Sequence, residues 1–398
     1  MFELVPSGTL TSAEGFLAGA AWAQIKKESE LDLAILYSQV PCTAAGVFTT
    51  NRIKSAPVIL SQKHLATGRA QAIVANSGCA NACLGQQGIV DARKMANLTA
   101  SKLNLVSEDV LLASTGVIGV PLPMDKIEAG IPMVKLTKEG GHAFARAIMT
   151  TDTRPKEAAI QVSAEGSKFV IGGVAKGAGM IHPDLATMLC FIATDALVNA
   201  DFLRMAFKKA ADSSFNMVSI DGDTSPSDCI LLLANGLAGN EMIDFNNGDS
   251  FEGALCELFS HLARAIAQDG EGATKLLQVT VEGAKDESEA RQAARTIVSS
   301  PLVKTAIYGN DPNWGRIVAA LGRSGTEVLE ERLDVYLNDI QVMKQGCPLP
   351  FNTGKMRTSL QSGSVLIKLD LNLGKGEATA WGCDLSPEYV KINSEYTT

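Results

Sequence analysis

The chain has 398 residues and a formal net charge of −8, with 46% apolar and 20% charged residues. This balance is typical of a globular protein and excludes intrinsic disorder, which requires few apolar residues and a high charge density. The acidic balance argues against nucleic acid or an anionic membrane surface as a partner, because phosphate groups attract basic surfaces. The length predicts two or three domains of ~150 residues, or one large intertwined unit.

No segment predicts export, membrane insertion or a structural metal. The apolar stretch at residues 16–25 follows Glu14 instead of a basic segment, so it does not resemble a signal peptide. No run reaches the ~20 apolar residues of a membrane-spanning helix. The 8 cysteines and 4 histidines lack the paired spacing of a zinc site. We therefore predict no metal, no membrane contact and a location in the reducing cytoplasm.

Strands and helices alternate along the first three quarters of the chain. Short apolar runs bounded by Gly, Asn and Asp predict strands at residues 31–40, 47–50, 57–60 and 70–75. Apolar or small residues at three-four spacing predict helices at residues 91–103, 202–215, 258–268 and 288–298. Asp286 precedes the last of these and is a candidate N-cap.

The C-terminal part predicts a pair of strands. Apolar residues alternate with polar ones over residues 365–373, so one face of this strand is expected to be buried. A glycine-rich turn at residues 374–376 then leads into a return strand through Ala380 and Trp381. Because strands and helices are interleaved throughout and no linker divides them, we expect a mixed α/β chain whose sheets are covered by helices.

The most unusual segment is residues 176–195, KGAGMIHPDLATMLCFIATD. Its glycines and proline predict an irregular loop that leads into an apolar strand opening with Thr187. The glycines match neither the Walker pattern nor the dinucleotide-binding fingerprint, the two glycine patterns that bind phosphate. From the residues alone, a tight turn before a buried strand is the favoured explanation of the segment.

The segment resembles the self-cleavage site of the ornithine acetyltransferase family. The family pattern KGxGMIxPxxATML is matched at Lys176, Gly177, Gly179, Met180, Ile181, Pro183, Ala186, Thr187, Met188 and Leu189. The resemblance implies that the chain cuts itself between Ala186 and Thr187, and that Thr187 is the nucleophile. A freed α-amine has a pKa of ~7.7–8.0, so it can accept the hydroxyl proton near neutral pH.

Four other motifs extend the resemblance over nearly the whole chain. In the motif STGVIG, Thr115 and Gly116 would donate hydrogen bonds to the oxyanion. Thr151, in the segment IMTTDT, would contact substrate, and Glu271, in DGEGATK, would bind an amine of the substrate. Asn393 and Thr398 near the C-terminus would also contact substrate, and Lys176 would pair with a carboxylate or tune the nucleophile. Without the family, turns, helix caps and surface positions are the favoured explanations of these residues.

The resemblance implies a fold and an activity. We expect an α+β fold with helices and sheets layered as an αββα sandwich, shared with self-cleaving aminopeptidases. The fragments 1–186 and 187–398 would form one intertwined unit, assembled as a heterotetramer of two α and two β chains. The enzyme would transfer the acetyl group of N2-acetyl-L-ornithine to L-glutamate in a ping-pong reaction of arginine biosynthesis. It would need no cofactor, with acetyl-CoA as an optional co-substrate.

Three alternatives remain open from the sequence, and one of them is a binding protein without catalytic activity. A related aminopeptidase or amidase with an N-terminal nucleophile would release the acyl group to water. The motif DGDT could instead supply Asp221 and Asp223 to the magnesium ion of a phosphotransferase, because carboxylates suit a hard cation. The resemblance covers this place too, since the family carries a DGDTSxxD stretch that is matched here through Asp228. The chain also departs from the family at Cys79, where many relatives have Asn, so a polar side chain is lost from that loop.

Overall fold

The computed structural model describes residues 2–26, 30–164, 167–182 and 188–395. The strands in these residues are β1 Phe2–Leu4, β2 Phe16–Ala21, β3 Leu33–Phe48, β4 Arg69–Asn76, β5 Val110–Ser114, β6 Lys156–Ala164, β7 Ser167–Lys176, β8 Leu189–Thr194, β9 Val218–Ser219, β10 Cys229–Ala234, β11 Leu276–Ala284, β12 Asp334–Leu337, β13 Ile340–Lys344, β14 Cys347–Pro348, β15 Ser364–Asp370 and β16 Gly376–Cys383. The helices are α1 Ala56–His64, α2 Gly85–Leu103, α3 Met124–Met133, α4 Gly141–Ala147, α5 Ala200–Ser213, α6 Asp249–Gln268, α7 Glu287–Val298, α8 Pro301–Tyr308, α9 Trp314–Gly322, α10 Thr353–Ser359 and α11 Pro387–Glu395.

The first sheet has nine strands in the order β1-β6-β7-β8-β10-β3-β4-β5, and β2 also pairs with β3. Strands β8 and β10 are parallel, as are β4 and β5, and the other pairs are antiparallel. The pairing of β3 with β4 is irregular between Tyr37 and Cys42. The first half of β3 therefore pairs with β2, and its second half pairs with β10.

The burial pattern shows that this sheet folds over on itself. Leu36 and Ile73, from β3 and β4, share one core cluster with Phe191 and Leu231 of β8 and β10. The opposite face of β3 and β4 packs under α1, α2 and α3, and the opposite face of β8 and β10 packs under α5 and α6. Because side chains alternate between the faces of a strand, each half-sheet is dry on both sides. The αββα layering that we expected is confirmed.

A second sheet, of seven strands in the order β14-β13-β12-β15-β11-β16-β9, completes the molecule. Helix α6 connects the two sheets, because it contacts β6 and β7 of the first and β11 and β16 of the second. Its Leu258 and Leu262 pack over Gly173 of β7. Helix α7 covers β11 and β16 with the small and apolar side chains Ala293, Ala294 and Ile297.

The structure confirms the predicted helices and changes part of the predicted sheet. The four helices are present as α2, α5, α6 and α7, and Asp286 caps α7 by accepting a hydrogen bond from the amide of Glu289. The predicted strands 31–40 and 47–50 belong to one long strand, β3, and strand 70–75 is β4. The strand predicted at residues 57–60 is wrong, since these residues lie in α1. Pro57 occupies the first turn of this helix, where its fixed φ favours helix formation.

The two predicted C-terminal strands form as β15 and β16 but do not pair as a hairpin. Strand β11 lies between them, parallel to β15 and antiparallel to β16. The connecting residues pass over the end of β11, where Leu373 and Gly374 both donate hydrogen bonds to the carbonyl of Gly283. The glycine-rich turn predicted between the two strands is therefore present. Each strand nevertheless pairs with β11, a segment distant in the sequence, and not with the other.

Among the residues that the structure describes, no helix has both the length and the apolar character needed to cross a bilayer.

Candidate active site

A pocket of about 240 Å³ opens where the ends of β5, β7 and α6 meet the C-terminal helix α11. We call it the central pocket. It brings together the predicted site residues Thr115, Gly116, Thr151, Lys176, Glu271 and Asn393. Ala186, Thr187 and Thr398 lie outside the described residues. The described strand β8 begins at Leu189, and the amide of the preceding Met188 is fixed by a hydrogen bond of 2.9 Å to Asp228 Oδ1.

Thr115 and Gly116 form a tight turn directly after β5. Gly116 has a φ of +127°, and a side chain there would overlap the carbonyl carbon of Gly78. The neighbouring Val117 amide donates to the carbonyl of Gly78, which fixes the turn against that loop. The amide of Gly116 donates to no residue in the described part of the chain. A backbone amide held rigidly at a pocket wall is the donor that an oxyanion requires.

Lys176 is a buried cation beside this turn. Its side chain lies at the end of β7, and Nζ donates to Thr150 Oγ1 at 2.6 Å. The same Nζ lies 3.5 Å from Thr115 Oγ1 and 3.9 Å from Asp152 Oδ2. Burial lowers the pKa of Lys176, and the Asp152 carboxylate opposes this change. The pocket therefore has a positive charge next to its candidate oxyanion donors.

Asp152 supports this cation from behind the pocket wall. Its carboxylate accepts hydrogen bonds from Lys156 Nζ at 2.5 Å and from the amide of Gly177 at 2.7 Å. Burial alone would raise the pKa of Asp152, but the ammonium groups of Lys176 and Lys156 overcome this effect and lower it to about 2. Asp152 is therefore ionised at neutral pH, and it anchors the first residue of the loop that follows β7.

Glu271 supplies a carboxylate to the same pocket. Its amide donates to the carbonyl of Ala178 at 2.8 Å, and Asn393 Nδ2 donates to Oε2 at 2.7 Å. A Cβ atom on Gly179 would lie only 2.5 Å from this carboxylate, so only glycine permits the close approach. Tyr389, one turn before Asn393 on α11, has its pKa raised by burial and by the Asp221 and Glu271 carboxylates.

The motif DGDT positions a loop. Asp221 accepts hydrogen bonds from the amides of Met180 and Ile181 at 2.6 and 2.8 Å, so both of its carboxylate oxygens hold the loop after β7. Burial raises the pKa of Asp221. In the described ranges, no group of three or more His, Cys, Asp or Glu residues could hold a metal ion. This geometry argues against a magnesium-dependent phosphotransferase with Asp221 as nucleophile.

Several buried residues at the site could not be predicted from the sequence. Four buried residues lie behind the pocket, namely Asp152, Lys156, Asp228 and Asp269. Neither the composition nor the spacing of the sequence indicates that they come together. Asp228 is 1% exposed, and its Oδ1 accepts the hydrogen bond from the Met188 amide. Burial raises the pKa of Asp228 well above its usual range. Only the family motif DGDTSxxD, which ends at this position, pointed to it.

The fold and the pocket define a class of protein. An αββα sandwich carries a small pocket with a rigid backbone amide, a hydroxyl group, a buried ammonium and an opposing carboxylate. The amide and hydroxyl can stabilise an oxyanion, and the two charges can orient a substrate that has both an amine and a carboxylate. This arrangement is that of an acyltransferase acting on small molecules.

Comparison with known proteins gives the family. The ArgJ family model matches residues 17–398. The arginine biosynthesis bifunctional protein ArgJ of Dehalococcoides mccartyi is 52% identical over 400 residues, covering 100% of this chain and 99% of that protein. The corresponding protein of Symbiobacterium thermophilum is 51% identical, covering 98% and 99%. A crystal structure of the bifunctional protein argJ from Bacillus halodurans is 43% identical with a TM-score of 0.51, covering 52% of this chain and 98% of that chain.

The chain belongs to the ArgJ family of arginine biosynthesis enzymes. The family predicted from the motifs, that of the ornithine acetyltransferases, is thereby confirmed.

Proposed function

We propose that the enzyme cuts itself between Ala186 and Thr187 and then uses Thr187 to carry an acetyl group from N2-acetyl-L-ornithine to L-glutamate. One observation carries this proposal. The central pocket gathers the predicted contacts of both fragments, Thr115, Gly116, Thr151 and Lys176 from residues 1–186, and Glu271 and Asn393 from residues 187–398.

The proposed chemistry has two half-reactions. Thr187 Oγ attacks the acetyl carbonyl carbon while the freed α-amine takes the hydroxyl proton. Thr115 and Gly116 donate hydrogen bonds to the resulting oxyanion, and each such donor contributes ~10²–10³ in rate. The carbon–nitrogen bond then breaks, the ornithine nitrogen takes up the proton, and acetyl-threonine remains. The amine of L-glutamate attacks this ester in the second half-reaction and restores the Thr187 hydroxyl.

The charges of the pocket fit these substrates. The Glu271 carboxylate, oriented by Asn393, would pair with an ammonium group of ornithine. Lys176 would attract the substrate carboxylate from the opposite wall, beside Thr151. Thr398 would add a contact from the C-terminus. No cofactor is required by these steps, and acetyl-CoA would serve as an alternative acetyl donor.

Two observations support the self-cleavage. The residue after Thr187 is held on both sides, since the Met188 amide donates to Asp228 and its carbonyl accepts from the amide of Cys229. The match to the solved chain from Bacillus halodurans covers 98% of that chain but only 52% of this one, so that chain is about half as long. One fragment of a cut chain would have this length. We further propose that two α and two β fragments form a heterotetramer in the cytoplasm.

The experiment combines intact-mass measurement with a transfer assay. We expect purified protein to contain fragments 1–186 and 187–398 and to form N-acetylglutamate from N2-acetyl-L-ornithine and L-glutamate. Thr187→Ala should remain a single chain without transfer, while the control Thr296→Ala, on α7 and away from the pocket, should be cut and active. Normal transfer by Thr187→Ala would disprove the nucleophile.

The same assay separates the remaining alternatives. Release of acetate without N-acetylglutamate would identify a hydrolase related to the aminopeptidases. Formation of N-acetylglutamate with acetyl-CoA as the only donor would establish the second activity, and its absence would restrict the enzyme to acetylornithine. Light scattering of the native protein tests the heterotetramer, since one α and one β fragment would give half its mass.

A further inference from the structure

A buried ionic cluster lies behind the central pocket without lining it. Its centre is Lys156, whose side chain is 1% exposed and whose Nζ contacts Asp152 Oδ1 at 2.5 Å and Asp269 Oδ2 at 2.6 Å. The side chains of Asp152 and Asp269 are 0% and 5% exposed. We call these three residues the Lys156 cluster. None of them is among the residues that line the pocket.

One arm of the Lys156 cluster leads to the buried ammonium of the pocket. Asp152 lies 3.9 Å from Lys176 Nζ, and it accepts hydrogen bonds from the amides of Thr150 and Gly177 at 3.1 and 2.7 Å. Thr150 in turn accepts a hydrogen bond of 2.6 Å from Lys176 Nζ. Asp152 therefore fixes both the position of Lys176 and the backbone on each side of Thr151.

The other arm leads to the carboxylate of the pocket. Asp269 accepts hydrogen bonds from the amide of Thr153, at 3.0 Å, and from the hydroxyl of the same residue. Asp269 is the residue that follows α6, and Glu271 comes two positions later in the same turn. The cluster thus joins the segment with Thr151 to the segment with Glu271, which lie more than 100 residues apart in the sequence.

The burial of these charges requires an explanation. Removing one lysine and two carboxylates from water carries a large desolvation penalty, and apolar residues of similar volume are often equally stable or more stable in such places. The benefit of a buried charge cluster is then geometric, because its short, directional contacts define one arrangement of the segments that it joins. Here those segments bear the two charges that face the substrate.

We propose that Lys156 is a positioning residue of the active site, whose ammonium holds the Lys176 side and the Glu271 side of the pocket at the separation that the substrate requires. This inference rests on the proposed function, because Lys176 and Glu271 are assigned there as substrate contacts. Lys156 acts through Asp152 and Asp269 and touches no substrate.

The test compares Lys156→Met, Asp269→Asn and the double variant. Each single variant changes the balance of the buried charges, since Lys156→Met removes the ammonium between two carboxylates and Asp269→Asn leaves Lys156 with Asp152 alone. Each should therefore lower the melting temperature. The double variant restores the charge balance, so its melting temperature should return toward the wild-type value. Its kcat/KM for N2-acetyl-L-ornithine should nevertheless fall about 10- to 100-fold, mainly through KM, because misplacement of a binding group by about 1 Å costs up to about 100-fold.

The pH profile gives a second measurement that a purely structural role would not change. Lys176 faces Asp152, Lys156, Asp228 and Glu271, and the Lys156 ammonium contributes to lowering its pKa, after burial. Loss of that ammonium should raise the pKa of Lys176. The proposal assigns the alkaline limb of kcat/KM to the loss of the Lys176 proton, so this limb should move to higher pH in the double variant.

The control is the double variant Lys209→Met/Glu252→Gln, which removes a surface ion pair between α5 and α6. It should leave KM and the pH profile of kcat/KM unchanged. A stable Lys156→Met/Asp269→Asn protein with wild-type KM and pH profile would overturn the proposal. If that protein is unstable, Lys156→Arg decides, since it keeps the buried charge but changes the length and shape of the group between Asp152 and Asp269. An unchanged KM in this variant would again overturn the proposal. A wild-type enzyme without transfer would refute the proposed function instead, before any variant is compared.

Discussion

Gly116 illustrates how one residue can be required at the pocket wall. We predict that Gly116→Ala reduces acetyl transfer about 10²- to 10³-fold, because its new Cβ atom would overlap the backbone of Gly78 and displace the amide donor. Gly119→Ala is the matched control. Its φ is also positive, at +79°, but no atom lies within 4 Å of the added Cβ, so it bears only the conformational cost.

The measurement is kcat/KM for both glycine variants together with their melting temperatures. Equal losses of activity in Gly116→Ala and Gly119→Ala would contradict the assignment, since the clash with Gly78 would then have no consequence for catalysis.

Asp228 gives a prediction about pH. Because burial raises the pKa of Asp228 well above its usual range, the folded state retains a proton that the unfolded state has already lost above its ordinary pKa of ~3.9. The free energy of unfolding therefore decreases as the pH rises through the window between these two values. Asp228→Asn carries no such proton and still offers an oxygen to the Met188 amide.

We expect the stability of Asp228→Asn, relative to wild type, to increase between pH 4.5 and pH 8, as measured by urea unfolding. Asp339→Asn, at an exposed turn, serves as the control. The same pH dependence in wild type and Asp228→Asn would show that the buried carboxyl does not retain its proton.

Among the elements of the fold, the loop after β7 depends on a carboxylate from a distant segment. Asp221 holds the amides of Met180 and Ile181, a few residues before the predicted cleavage site. We predict that Asp221→Ala slows self-cleavage, because the loop loses both contacts. Denaturing gels of freshly synthesised protein measure the rate.

Asp223→Ala provides the comparison, since it removes the other carboxylate of the motif and neither of these hydrogen bonds. Addition of magnesium or EDTA should change neither rate. Magnesium-dependent cleavage or phosphatase activity would contradict the role given to Asp221.

Local signals in the sequence predicted some elements well and others badly. The spacing in α7 and its cap Asp286 were sufficient, because helix signals are contained within one short segment. The run at residues 57–60 was too short to distinguish a buried strand from a helix, and α1 formed there. The pairing of β11 between β15 and β16 depends on contacts across about 100 residues, which no local pattern records.

For the site, the family motifs pointed to six residues that line the pocket, namely Thr115, Gly116, Thr151, Lys176, Glu271 and Asn393. Tyr389 lines the pocket as well, and no motif pointed to it. The Lys156 cluster could not be predicted, because Asp152 and Asp269 come together around Lys156 only in the folded chain. Their burial, and not their spacing, reveals that they belong together.

At the scale of the whole molecule, the first sheet combines both halves of the chain. Strands β8 and β10, from residues 187–398, lie between β7 and β3, from residues 1–186. We predict that the cut protein elutes as one particle from a sizing column and unfolds in a single calorimetric transition, because separation would break the sheet on both sides of this pair. Two transitions, or separation of the fragments without denaturant, would contradict this expectation.

The most direct test of the proposed mechanism is the mass of the enzyme after brief mixing with N2-acetyl-L-ornithine in the absence of L-glutamate. We expect the fragment that begins at Thr187 to gain the mass of one acetyl group, which disappears when L-glutamate is added. The fragment 1–186 should remain unchanged. Acetyl transfer to L-glutamate without any acetylated 187–398 fragment, or with the acetyl group on another residue, would contradict a threonine nucleophile.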